Sequence, residues 1–186
     1  MLDSHYTELG PVTLSAFKNR QFYMHSFDVA RPVMADGFED YEAVVSELCR
    51  KAGLVSGVAH MTVDEKFVEP GMSQRRPGAH LDGCFMPSAM AWQHPSWLHY
   101  CNALPVERMA IITAASVPGC IVYPGKFDAA PKNDGDMEHI RDQLGDGELL
   151  PAFTGFLLSP DCVHESVRFP EPTQRTFLRI AFKAGD

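Results

Sequence analysis

One histidine and one aspartate, His80 and Asp82, lie two residues apart in the sequence R-R-P-G-A-H-L-D-G. In a β-strand, residues two apart point to the same face, so the imidazole and the carboxylate would lie side by side. Such a pair supplies two ligands of a 2-His-1-carboxylate site, which holds Fe(II) on one side and leaves the opposite positions open. A motif this short arises easily by chance. It predicts a metal site only together with a second histidine and a fold that brings the two together.

His164 is the candidate for the second histidine. It follows the turn Pro160-Asp161 at the start of a predicted strand, where rigid backbone meets open loops and a ligand is well placed. His60 lies in a strand-like run and could face the interior, although a hydrogen-bonded core histidine is the more common outcome. His94 and His99 could bind substrate or metal, but a five-residue gap suits neither a strand nor a helix, and a loop or lid is favoured.

The last predicted strand, residues 175–183, places Arg175 and Arg179 on one face and apolar side chains on the other. Arginine is rarely buried without a partner, and its planar fork suits a carboxylate. Because no Asp or Glu falls on this strand, a bound anion is one candidate partner for the two guanidinium groups.

The ordered set His80, Asp82, His164 and Arg175 resembles the Fe(II)- and 2-oxoglutarate-dependent dioxygenases. The segment H-E-S-V-R-F-P-E-P-T-Q-R-T-F-L-R-I, from His164, is similar to the part of the prolyl-hydroxylase branch where the distal histidine leads into the arginine strand. R-R-P-G-A-H-L-D-G and R-T-F-L-R-I resemble small phage and viral members. The resemblance covers residues 58–183.

This resemblance implies a mainly β fold, a double-stranded β-helix or jelly roll, with supporting helices. His80, Asp82 and His164 would bind Fe(II) as the catalytic metal, and Arg175 would bind the distal carboxylate of 2-oxoglutarate. The co-substrate would take two of the open metal positions and O2 the third. The implied reaction hydroxylates a C–H bond of the substrate and releases succinate and CO2.

Two departures from the family pattern leave the co-substrate arginine open. Phe177 stands two residues after Arg175, where many plant-type members have a serine. Arg179 stands at a spacing that another branch uses. Either arginine could therefore hold 2-oxoglutarate.

The elements around these residues are predicted to be mostly strands, as 14 Pro and 14 Gly and many short apolar runs favour strands and turns over a helical bundle. One amphipathic helix is expected, capped by Asp36 and ended by Gly53. Pro118-Gly119 is expected to join two strands as a hairpin. Residues 124–147 are polar and are expected to form a surface insertion. Strands are predicted at 21–29, 54–62, 67–68, 109–117, 120–123, 149–159, 163–169 and 175–183.

Length and composition narrow the class of protein. A chain of 186 residues fits a single domain, with residues 1–57 expected as an N-terminal strand and helix support and residues 58–183 as the β-helix core. The net charge of −8 weighs against nucleic acid as a partner, because non-specific binding depends on Lys and Arg. Five scattered cysteines without a C-x-x-C spacing favour a reduced, cytoplasmic location. Neither a signal peptide nor a membrane span is predicted.

The substrate is expected to be a small molecule or a protein side chain; a nucleobase stays open as an alternative, although the acidic net charge weighs mildly against it. Arg76, Trp92 and Trp97 are candidate substrate contacts, and the loops 83–107 and 124–147 are expected to select the substrate. Two other functions remain open. One is a cupin-like metalloenzyme that uses the same three ligands without 2-oxoglutarate, and the other is a non-catalytic jelly-roll binding or virion-associated protein, since fold does not fix function.

Overall fold

A computed structural model describes residues 1–82, 109–132 and 135–183. The helix α1 spans Glu42–Lys51 and follows a short 3-10 helix at Glu39–Tyr41, and another 3-10 helix spans Glu138–Gln143. None of the helices in these ranges is long and apolar enough to cross a membrane. The strands are β1 Leu2–Ser4, β2 Tyr6–Pro11, β3 Gln21–Asp28, β4 Val58–Val68, β5 Met109–Ala115, β6 Cys120–Tyr123, β7 Gly125–Phe127, β8 Glu148–Leu149, β9 Thr154–Leu158, β10 Val163–Ser166 and β11 Thr173–Lys183.

The larger sheet has six antiparallel strands in the order β2-β9-β5-β11-β4-β3. Its two longest strands, β4 and β11, pair continuously from Val68 opposite Thr173 to Ala59 opposite Phe182. Alternation along β11 places Leu178 and Ile180 on one face and Arg175 and Arg179 on the other. Along the centre of β11, one face of the sheet is therefore apolar and the other carries two arginines.

A smaller sheet lies opposite and contains β10, β6 and β8 in that order. The chain from Ser73 to His80 runs antiparallel beside β10, with bridges from Ser73 to Arg168 and from His80 to His164. The strands β1 and β7 form a separate antiparallel pair. The segment that carries the His80 motif is thus the outer neighbour of the strand that carries His164.

The core is layered around the two sheets. On the outer face of the larger sheet, Leu48 of α1 packs with Met61 and Ile180. Between the sheets, apolar side chains of both sheets, such as Ile111 and Val122, share a second cluster. The arrangement is a jelly-roll-like β-sandwich, as the sequence predicts.

The expected amphipathic helix is present, and its apolar face is buried against the larger sheet. Val45 and Leu48 are fully buried, and Gly53 ends the helix at φ +75°, a conformation that favours glycine. Asp36 does not cap it: the helical segment begins through the 3-10 turn after Phe38, with no side-chain cap.

Several strand predictions are wrong in their boundaries or connections. The predicted strand 149–159 is two strands, since β8 ends at Leu149 in the smaller sheet and β9 begins at Thr154 in the larger one. The predicted strand 54–62 begins only at Val58 and continues to Val68 as one strand, β4, so that it includes the run 67–68. The acidic residues Asp64 and Glu65 within it are completely buried. Pro118-Gly119 does not make a hairpin, because β5 pairs in the larger sheet and β6 in the smaller one. This turn carries the chain across the sandwich.

Within the described residues 124–132 and 135–147, the predicted surface insertion is wrong. Met137, Ile140 and Leu144 are buried in a third cluster that also contains Ala79 and Leu81. Their backbone pairs with the motif segment: Met137 donates to the carbonyl of Ala79 at 2.8 Å, and Leu81 donates to that of Gly135 at 2.8 Å. The region covers the outer side of the smaller sheet and supports the residues around His80.

Candidate metal centre

His80 and His164 are direct cross-strand neighbours. The His80 N–H donates to the carbonyl of His164 at 2.9 Å, and the His164 N–H donates to that of His80 at 3.0 Å. Residues that exchange both main-chain bonds project their side chains to the same face. Their ring centroids are 4.5 Å apart, on the side of the smaller sheet that faces the larger one.

Asp82 completes a group that could hold a metal ion. Its Oδ1 lies 4.0 Å from Nε2 of His80, and its Oδ2 lies 3.8 Å from Nε2 of His164. The three ligand atoms all lie within 4.8 Å of one another. Two ligands bound to one ion through bonds of about 2.1 Å can be separated by up to about 4 Å, so only small side-chain shifts are needed to bind a metal.

Hydrogen bonds select the same ring nitrogen of each histidine for the metal. Nδ1 of His80 is 2.7 Å from the carbonyl oxygen of Gly78, and Nδ1 of His164 is 2.9 Å from that of Cys162. A carbonyl oxygen can only accept, so each Nδ1 carries the proton. Each Nε2 therefore has a free lone pair directed toward Asp82, which is the arrangement that metal-ligating histidines require.

The electrostatics of the site favour the ligand forms of His80 and Asp82. Burial, together with the proximity of His164, lowers the pKa of His80 to about 4, so its imidazole is neutral near pH 7. Burial alone would raise the pKa of Asp82. However, Arg179, whose Nη1 lies 3.0 Å from Oδ2, and the two histidines hold that pKa below its usual range.

An ion-pair network ties the motif to the rest of the smaller sheet. Arg141 donates from Nη1 and Nη2 to Glu165 at 2.7 and 2.9 Å and also pairs with Glu138. Glu138 in turn accepts the N–H of Ala79 at 2.5 Å, next to His80. Arg141 therefore connects the residue after His164 with the residue before His80.

The metal-binding group opens into a cavity of about 60 Å³ between the two sheets. Arg175 and Arg179 line it from the larger sheet, and Arg75 and Arg76 line it from the motif segment. Phe177, between the two arginines of β11, also reaches the cavity. The arginine face of β11 therefore lies across the cavity from the candidate metal ligands.

Arg175 is the more deeply buried of the two β11 arginines, and its hydrogen bonds go to uncharged groups. Its side chain is almost fully buried. Nε donates to the carbonyl of Val117 at 2.9 Å, and Nη1 donates to Oε1 of Gln74. Burial lowers its pKa to about 10. The guanidinium packs over the ring of Phe177 with centroid distance 5.5 Å.

Gly119 makes room for this arginine. A Cβ at position 119 would lie 2.9 Å from Cζ of Arg175 and 2.9 Å from Cζ of Phe169. Such contacts are closer than packed atoms tolerate. A side chain at this position would therefore displace the guanidinium or the aromatic ring.

The structure brings together most of the residues that the sequence singles out. His80, Asp82 and His164 meet at one point, while Arg76, Arg175 and Arg179 line the adjoining cavity. His60 is buried in β4 and is not among the cavity-lining residues described. The roles of these side chains remain predictions, and Trp92, Trp97, His94 and His99 lie outside the described residues.

Three supporting residues escape the sequence analysis: Gln74, Arg141 and Glu165. Gln74 and Arg141 contact residues that are distant in the chain, so no local pattern marks them. Glu165 directly follows His164, and alternation alone would point it away from the metal. Its contact with Arg141 explains why a carboxylate occupies that position.

Ten chains among the solved structures match this chain, and EvdMO1 is one of them. The crystal structure of EvdMO1 superposes with a TM-score of 0.55 at 15% sequence identity, and the match covers 99% of this chain and 48% of EvdMO1. The chain thus spans about half the length of EvdMO1. No protein-family model matches the sequence, and neither does any curated protein. At this identity, the likeness shows that the two proteins share a fold.

Proposed function

We propose that this chain is a non-haem Fe(II)- and 2-oxoglutarate-dependent oxygenase that hydroxylates a C–H bond of its substrate. The observation that carries the proposal is the convergence of His80, Asp82 and His164 within 4.8 Å at the mouth of a cavity that also contains the buried Arg175. Two imidazoles and one carboxylate on one side of an ion are the donor set of non-haem Fe(II) oxygenases.

The residues fit such an iron site. Both Nε2 atoms are free to bind, and the carboxylate of Asp82 is held ionised beside Arg179. When bound, iron and 2-oxoglutarate would supply the oxidation: one oxygen atom of O2 enters succinate as CO2 is lost, and the other enters the substrate as a hydroxyl group. The chain itself would orient the reactants and exclude water from the cavity.

Arg175 suits the role of co-substrate arginine better than Arg179. Arg179 already pairs with Asp82 at 3.0 Å and would help hold that ligand. Among the described residues, the hydrogen-bond partners of Arg175 are uncharged. A buried guanidinium is stabilised most by a bidentate, charge-assisted pair of hydrogen bonds to a carboxylate. We therefore assign the distal carboxylate of 2-oxoglutarate to Arg175.

The test is an anaerobic titration of 2-oxoglutarate into the Fe(II)-loaded protein. Chelation of iron by 2-oxoglutarate should give a visible metal-to-ligand charge-transfer band, and R175M should require a much higher 2-oxoglutarate concentration to give it. A protein that binds iron but develops no band would instead support the cupin-like alternative, which uses the same ligands without 2-oxoglutarate.

A further inference from the structure

We infer that the substrate carries an anionic group, a carboxylate or a phosphate, which Arg75 and Arg76 bind at the wall of the cavity. This inference rests on the proposed function of the same site. It assigns to the two arginines before the His80 motif a role separate from that of Arg175, and it names the chemical class of the substrate.

The backbone fixes the position of both arginines relative to the metal centre. The N–H of Arg75 donates to Oγ of Ser166 at 3.4 Å, and the N–H of Ser166 donates to the carbonyl of Arg76 at 3.3 Å. Ser166 lies two residues after His164 on the same strand. The two arginines therefore lie beside the metal-binding strand, and both reach the cavity.

Arg75 is held in place by aromatic rings and keeps part of its guanidinium accessible. Its Cζ lies 5.5 Å from the ring centroid of Tyr23 and 5.4 Å from that of Phe177. Its ion pair with Asp64 has a closest approach of 3.5 Å, and the side chain remains 29% exposed. A stacked guanidinium loses little conformational freedom when it binds an anion, so Arg75 is preorganised for that role.

Arg76 lies further out, at the opening of the cavity. Its side chain is exposed and lines the cavity together with His80. An anion that bridged Arg75 and Arg76 would therefore stand next to the metal centre, where the rest of the substrate could reach the open metal positions.

The charge balance of the cavity favours such a ligand. Four arginines line it, against the two carboxylates Asp82 and Glu165. Asp82 is paired with Arg179, Glu165 with Arg141, and Asp64, on β4, with Arg75. This positive cavity lies in a chain of net charge −8. A cleft of one sign attracts ligands of the opposite sign, and the guanidinium fork matches both carboxylate and phosphate.

The experiment uses protein loaded with Mn(II), which is paramagnetic, and saturated with 2-oxoglutarate. Inorganic phosphate and acetate are titrated separately at constant ionic strength, and the relaxation of their ³¹P and ¹³C signals reports binding near the metal. The variants are R75Q, R76Q and the charge-preserving R76K. The matched control is R168Q, because Arg168 is exposed on the same connection after β10 and does not line the cavity.

At least one anion should bind the wild type, and R75Q and R76Q should each weaken its binding about tenfold, the loss expected for one charge-assisted hydrogen bond. R76K should retain part of the affinity, and R168Q should equal the wild type. Tighter binding of phosphate than of acetate indicates a phosphorylated substrate, and tighter binding of acetate indicates a carboxylic acid. R75Q removes the ion pair between Arg75 and the buried Asp64, so the melting temperature of this variant is measured as well. If R75Q is unfolded, the anion affinity of R76Q tests the inference.

Binding of neither anion, equal binding by R76Q and the wild type, or an equal loss in R168Q would overturn the inference. The affinity for 2-oxoglutarate is measured in every variant and should not change. Failure of the wild type to bind 2-oxoglutarate, with arginine-dependent anion binding retained, would instead refute the proposed oxygenase while leaving the anion site standing.

Discussion

His80 and His164 exchange two main-chain hydrogen bonds, of 2.9 and 3.0 Å, and so hold their imidazoles side by side although they lie far apart in the sequence. The same geometry recurs in each ring, where Nδ1 bonds the carbonyl two residues before it. Sheet pairing therefore sets the spacing of the two candidate ligands, and local bonds set their orientation.

Arg141 should support metal binding without touching the metal. R141M removes the ion pairs to Glu138 and Glu165 that brace the residues beside His80 and His164. We expect metal affinity to fall about tenfold, as is typical when outer partners of ligands are lost. The measurement is a competition titration against a chelator. R50M, which changes an exposed arginine on α1, is the control and should match the wild type.

Gly119 should be required for co-substrate binding and not for metal binding. In G119A the new methyl group would lie 2.9 Å from the guanidinium carbon of Arg175, and overpacking of this kind costs about 1–3 kcal/mol. We expect weaker 2-oxoglutarate binding, by about tenfold or more, with unchanged metal content. Loss of metal in G119A, or an unchanged 2-oxoglutarate affinity, would contradict the position assigned to Arg175.

Substitution of Glu65 should lower the stability of the fold without changing metal binding. Glu65 is completely buried on the α1 side of β4, where it accepts hydrogen bonds from the Tyr41 hydroxyl at 2.7 Å and from Arg20 at 3.1 Å. E65Q removes one of the two carboxylates that pair with Arg20, the other being Asp40, and we expect the free energy of unfolding to fall by about 1–3 kcal/mol, the cost of a disrupted buried hydrogen-bond network. Chemical denaturation checks this value. The affinity for metal, measured on the folded variant, should stay unchanged.

The metal-free protein should lose stability on mild acidification because of His80. Its folded-state pKa of about 4 lies below the ordinary value of 6.5. Between these values the unfolded chain takes up a proton that the folded protein excludes. The free energy of unfolding should therefore fall as the pH drops from 6.5 toward 4, by on the order of 2–3 kcal/mol.

The control for this pH dependence is H80N, whose amide can still donate to the carbonyl of Gly78 but does not titrate. Denaturation at a series of pH values should show a flatter profile for H80N than for the wild type. Identical slopes for the two proteins over this range would contradict the buried, neutral state of His80.

Alternation along strands made the candidate site partly predictable from the sequence. The two-residue spacing predicts that His80 and Asp82 share one face of a strand, and alternation likewise predicts that Arg175 and Arg179 share a face. The β-rich composition predicts the sandwich in which these two faces meet. The preference between Arg175 and Arg179 could not be obtained this way. It depends on the contact of Arg179 with Asp82 and on that of Arg175 with Gln74, both between residues distant in the chain.

Two of the errors in the sequence analysis have different physical causes, a buried pair of acidic residues in one case and an unrecognised apolar face in the other. Asp64 and Glu65 look like the end of a strand, but ion pairs with Arg75 and Arg20 allow β4 to continue through them. Residues 124–147 look like a loop because they are rich in Gly and Asp. The spacing of Met137, Ile140 and Leu144, by three and four, was the available sign that one side of this region is buried.

The measurement that tests the central claim most directly is the metal stoichiometry of the purified protein reconstituted with Fe(II) under anaerobic conditions. The wild type and H139A, which changes an exposed histidine of the 3-10 helix, should each bind one Fe(II) per chain. H164A should bind none at the same concentration, because one imidazole and one carboxylate do not hold the ion. Stoichiometric iron in H164A, or none in the wild type, would contradict a metal centre formed by His80, Asp82 and His164.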